Sequence, residues 1–177
     1  GKGGGEGGKL VVFGKGSEKK VTYDAGQQDV LAVYFVLCKI LYLCGNLKLL
    51  PRCVEFVGSW AERSEENLAK TTIRNENAYF MCVEELLKCE RKCVVGGVGG
   101  EMKKLYVVGD SHSLSPGWKI IPDGGDGEPR LLVPKLVTGL KHYHLRAEED
   151  FYPKKNFERV MATIEKGAEC LMVFGEI

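Results

Sequence analysis

Net charge is what this sequence has least of. Its 25 Lys and Arg stand against 24 Asp and Glu, leaving +1 over 177 residues. So small a balance gives no field that would draw nucleic acid or an anionic membrane surface. Long apolar runs are missing too. The most apolar segment, Val30 to Cys44, is 15 residues long and broken by Lys39, short of the roughly 18 that suggest a bilayer span. The first residues, Gly1-Lys2-Gly3-Gly4-Gly5-Glu6-Gly7-Gly8, hold no apolar h-region, so no signal peptide is expected. Histidine is scarce: His112, His142 and His144 are all there are.

Cysteine is present without the spacing that metals or disulfide frameworks use. Seven cysteines are an odd set, and Cys82-x6-Cys89-x3-Cys93 lacks a second close pair. Neither a zinc site nor any other cofactor is expected. Free thiols in a reducing, intracellular compartment are the expectation. No residue chooses between the cytoplasm, a cilium and an organelle interior. Gly3 to Lys9 match the G-x4-G-K part of a phosphate loop, but Leu10 stands where Ser or Thr should bind the metal. No strand precedes it, and the match is discarded.

The remaining residues divide the chain into four parts. Residues 1–23 hold a Gly-rich start and a short hairpin, Lys9–Phe13 with Lys20–Tyr23 around Gly14-Lys15-Gly16-Ser17-Glu18. Residues 24–93 read as helical. Asp24 with Gln27 forms a capping box opening the apolar run, and Gly45-Asn46 ends that helix. A second helix takes Pro51 in its first turn, with Leu50, Val54 and Val57 on one side. A third carries Phe80, Val83 and Leu87, with Tyr79, Cys82 and Leu86 alongside. Tyr34-Phe35, Leu41 and Cys44 recur 45 residues later as Tyr79-Phe80, Leu86 and Cys89. Tetratricopeptide-like repetition that binds protein partners and three unrelated amphipathic helices are both open. Val94-Val95-Gly96-Gly97-Val98-Gly99-Gly100 reads as the core of a linker over 94–103.

Residues 104–177 have α/β character, with a mainly parallel sheet. Leu105–Val108 is a buried strand. Trp118–Ile121 and Arg130–Val133 flank the turn cluster Pro122 to Gly127 as a hairpin. Asn156 is expected to cap a helix running to about Lys166, and Cys170–Phe174 to be a second buried, central strand.

The first of those strands stops at Gly109-Asp110-Ser111-His112, putting a hydroxyl where open α/β folds place their ligand crevices. Ser111 is a nucleophile only if a base reaches it. His112 is adjacent in sequence and need not face it. His142 and His144 alternate, so on a strand they would share one face. There they could supply a base, bind a metal or hydrogen-bond Glu148, Glu149 and Asp150.

Val108-Gly109-Asp110-Ser111-His112 resembles the first conserved block of the GDSL/SGNH hydrolase superfamily. The resemblance implies a three-layer α/β/α fold and ester hydrolysis or acyl transfer on a small ester. It implies Ser111 as nucleophile, with its backbone N–H and that of Gly139 as oxyanion-hole donors. Phe174-Gly175-Glu176-Ile177 matches the third block in position and glycine, with Ile177 where the family has its oxyanion-hole asparagine and Glu176 as a secondary candidate. The family's Asp-x-x-His would fall beyond Ile177, so the sequence reads as a segment of a longer protein. Three readings stay open: a serine ester hydrolase, an inactive SGNH-like scaffold whose helical half binds neighbours, and an ordinary tight turn at Gly109-Asp110-Ser111.

Overall fold

The computed structural model describes residues 19–89, 102–146, 148 and 150–174. The expected strand Lys9–Phe13, the linker glycines and Gly175-Glu176-Ile177 lie outside them. Of the expected hairpin's second strand, Val21 forms a single bridge to Ser64.

Three helices form the first half. In α1 (Ala25–Leu43) the Asp24 carboxylate accepts from the Gln27 amide at 2.8 Å, and the Gln27 side chain accepts from the Asp24 amide at 3.0 Å. Gly45, at φ 71°, turns the chain out of the helix. Pro51 sits in the first turn of α2 (Leu50–Arg63), where a missing N–H leaves no bond unmade. Helix α3 (Arg74–Lys88) buries Phe80, Val83 and Leu86 and leaves Leu87 half-buried. The buried stripe of α1 is Leu31, Phe35, Cys38 and Tyr42. Phe35 and Phe80, from the two recurring Tyr-Phe pairs, stack with centroids 4.7 Å apart. Helix α1 is long and apolar enough to cross a membrane by length and composition, yet this stripe lies in the protein's own core. Its other side exposes Val30, Val33, Leu37 and Ile40.

The second half is a four-stranded sheet in the order β2-β3-β1-β4. Strand β1 (Lys103–Gly109) runs parallel to β3 (Arg130–Leu136) and to β4 (Glu169–Val173). The expected hairpin forms, β2 (Ile120–Ile121) pairing antiparallel with β3. On one face Tyr106, Val108 and Val137 pack with Phe157, Val160 and Met161 of helix α4 (Tyr152–Met161). At the other, Leu114, Trp118 and Leu136 join the core of α1, α2 and α3.

Trp118 couples the two halves. Its indole N–H donates to the Tyr42 carbonyl at 2.6 Å, and its backbone N–H to Leu132 at 2.7 Å. The ring lies against Gly45, where a Cβ would come within 2.7 Å of it. Tyr42 reciprocates, its hydroxyl donating to the Leu114 carbonyl at 2.7 Å. The helical region is therefore packed on the α/β region through a shared core. At the opposite end of the strands, buried Arg130 grips Glu169 with two bonds, of 2.8 and 3.1 Å, and Asp126 with one of 2.7 Å. This ties the start of β3 to the start of β4 across β1.

Three local expectations are corrected. Strand β4 is neither central nor buried: among the described residues it pairs with β1 alone, and Cys170, Leu171 and Met172 are exposed. Helix α4 starts five residues earlier than a cap at Asn156 suggested, because Pro153 fits the first turn, and it ends at Met161. His142 and His144 are not on a strand but in a 3-10 turn, His142–Leu145.

Candidate active site

The chain leaves β1 at Gly109, and the reason for a glycine there is space. A Cβ would lie 1.8 Å from the carbonyl oxygen of Val173 on β4. Asp110 then organises the turn. Its Oδ1 accepts from the His112 backbone N–H at 3.0 Å and lies 2.9 Å from His112 Nδ1. Buried Ser113 donates its hydroxyl to the Asp110 carbonyl at 2.7 Å. The helical turn Ser111–Leu114 stops after one turn, since Pro116 has no N–H to extend the ladder. Ser111 is left exposed at the head of that turn.

The second strand end comes alongside. The Val137 N–H donates to the Gly109 carbonyl at 2.6 Å, which brings the Thr138-Gly139 turn beside Asp110-Ser111. Gly139 has φ 71° and open space where a Cβ would be. Among the described residues, neither the Ser111 and Gly139 backbone N–H groups nor the Ser111 hydroxyl has a hydrogen-bond partner.

These groups line a cleft of about 800 Å³ whose far wall comes from the helical region. Tyr79 and Cys82 of α3 and Lys39 of α1 stand there, with Lys141 at the rim. The Lys39 ammonium lies 4.5 Å from the centre of the Tyr79 ring. Burial pushes the Tyr79 hydroxyl above its ordinary pKa; a hydrogen bond with Thr138 pulls it back and the Asp110 charge raises it further. Helix α3 and the Asp110 turn are thus electrostatic neighbours.

Of the residues singled out from the sequence, Asp110, Ser111, His112 and Gly139 share this cleft. His142 and His144 do not line it. His144 is buried, its Nδ1 accepting from the Lys141 N–H at 3.1 Å and its ring packed against Tyr143 and Phe151. His142 is exposed and stands edge-on to Tyr143. Glu176 lies outside the described residues. Among those residues no cluster of His, Cys, Asp and Glu could hold a metal. Sequence reading missed Lys39, Tyr79 and Thr138; the signal for Lys39 was its place as a lone basic residue in an apolar run.

Chemically, the cleft offers a hydroxyl, two backbone donors and an Asp–His pair. Ser111 and His112 make no hydrogen bond to each other, as expected for neighbours on a tight helical turn, whose side chains diverge. No family model matches the chain, and neither the curated proteins nor the solved structures include a match to it.

Proposed function

We propose that the cleft is the site of an SGNH-like serine ester hydrolase. The observation that supports this most is that the Ser111 hydroxyl and the Ser111 and Gly139 amides, without hydrogen-bond partners among the described residues, line one cleft at the ends of two parallel strands. Ser111 Oγ attacks the ester carbonyl, and the two N–H groups stabilise the oxyanion that forms. A general base takes the Ser111 proton and hands it to the departing alcohol oxygen, and the same base then deprotonates the water that releases the acid from the acyl-serine. The base in this scheme is a histidine, as the SGNH resemblance implies, with Glu176 a secondary candidate. Glu176, three residues past the end of β4, is the nearest carboxylate in the sequence to that strand end. Asp110 Oδ1 lies 2.9 Å from His112 Nδ1, so this pair is an orienting element of the turn that carries Ser111.

The test is hydrolysis of a short p-nitrophenyl ester by the protein and by Ser111→Ala. The expected result is turnover that falls at least about 10³-fold in the variant, as for loss of a nucleophile. Equal rates in the two would sink the proposal.

A second reading is favoured because, among the described residues, no base makes a hydrogen bond with Ser111. The chain is then an inactive scaffold of a larger assembly, docking protein neighbours on the exposed face of α1, with Val30, Val33, Leu37 and Ile40 at its centre. Absence of turnover together with loss of assembly in Val33→Glu would support it over the enzyme.

A further inference from the structure

Lys39 is the only basic residue of α1. It lines the same cleft as Ser111, His112 and Gly139. Among the described residues it makes no ion pair, and its ammonium lies over the ring of Tyr79. A ring face holds a cation in place by its quadrupole without neutralising it. Tyr79 lines the cleft with Thr138 and Gly139, so the cation stands over a ring that shares the cleft with the second amide.

The cleft's other charges are Lys141, Glu76, Asp110 and, when protonated, His112. The Asp110 carboxylate is engaged by the His112 amide and ring. Glu76 lines the same cleft and makes no ion pair with Lys39. Lys39 thus lines the cleft together with the Thr138-Gly139 turn and, among the described residues, has no ion pair to neutralise it.

We infer that Lys39 is a specificity-determining residue, and that the ligand of this cleft carries an anionic group, carboxylate or phosphate, which Lys39 binds while the neutral ester carbonyl faces Ser111. The ester part rests on the function proposed above; the anion site does not. An ammonium serves either anion as a point charge, so both sources are tested.

The experiment is calorimetric titration of the full chain with monomethyl glutarate, methyl phosphate and neutral dimethyl glutarate. It is run beside hydrolysis of the p-nitrophenyl esters of glutarate and butyrate. Wild type, Lys39→Met, Lys39→Gln and Glu76→Gln are compared, with thermal unfolding as the check that each is folded. At least one anion is expected to bind and the neutral diester not. Both Lys39 variants should weaken that binding at least about tenfold, the scale of a lost charge-assisted bond. Glu76→Gln should strengthen it. Hydrolysis should favour the glutarate ester through KM, a preference lost in Lys39→Gln.

Lys39-dependent anion binding without hydrolysis of any ester would defeat the proposed enzyme and leave the anion site standing. Hydrolysis indifferent to charge and to Lys39 would do the reverse. Absence of anion binding, or anion binding equally strong in both folded Lys39 variants, overturns the inference.

Discussion

Gly109 has no room for a side chain, because the Val173 carbonyl stands where a Cβ would go. Gly109→Ala must push β4 from β1 and tilt the turn carrying Ser111. A loss of at least about 2 kcal/mol is expected, in the range of buried strain, measured by denaturant unfolding together with loss of any Ser111 reactivity. Cys38 offers a different test at this scale. Burial pushes its thiol up to about 11, so it is protonated at neutral pH and enclosed. Cys44, Cys89 and Cys170 are exposed. A thiol reagent at pH 8 should modify those three in the native protein and reach Cys38 only on unfolding, as peptide mapping would reveal. Native labelling of Cys38 would contradict the packing of α1. The Asp110–His112 pair and the exposed Ser111 follow from one side chain, since Asp110 bonds its own backbone two residues on, a habit of aspartate in turns.

At the scale of elements, the two ends of the sheet have different duties. The Arg130, Glu169 and Asp126 group fastens the strand starts, while the cleft occupies the strand ends. Hydrogen bonds from Arg130 hold the Glu169 carboxyl below its ordinary range and the Asp126 carboxyl well below its own, with the Glu128 backbone and Lys103 adding to the effect on Asp126. A folded-state pKa lowered in this way stabilises the fold above the unfolded carboxylate value, near 4, and that stabilisation disappears as pH falls through the lowered value. Thermal unfolding of the wild type should therefore drop steeply below about pH 4. In Arg130→Met the midpoint should be lower at neutral pH and the acid slope shallower. Equal slopes would mean the group does not fasten the sheet. The capping box makes a smaller claim: Asp24→Ala should cost about 1 kcal/mol, read by the same unfolding assay.

These elements also mark where sequence reading works. The cap at Asp24, Pro51 in a first turn and the hairpin turn from Pro122 to Gly127 are set by neighbours in the chain, and each was legible. The exposure of β4 was not, since Cys170-Leu171-Met172-Val173 reads alike in a central strand and at an edge. His144 is buried by the turn it stands in and by Phe151, partners that strand alternation does not anticipate. Ser111 and Gly139 were legible as candidates through short motifs. Lys39 and Tyr79 were not, because the packing of the helices on the sheet brings them there.

For the whole molecule, the shared core decides what can be separated. Trp118 bonds Tyr42 and packs on Gly45 from the far side of the sequence. Trp118→Ala should cost about 3–5 kcal/mol, with both halves unfolding together by far-UV circular dichroism and by fluorescence of the remaining Trp60. Two separate transitions would show two independent units instead. The cleft depends on this union, since its lining comes from α1 and α3 on one side and from the residues that follow β1 and β3 on the other. The most direct test of its chemistry is treatment of the full chain with a fluorophosphonate, followed by mass mapping of the adduct. A single adduct on Ser111, absent in Ser111→Ala and slowed when Lys39 is replaced only if the probe is anionic, is the expected result. No adduct under conditions that label a serine esterase, or an adduct on another residue, would contradict the account.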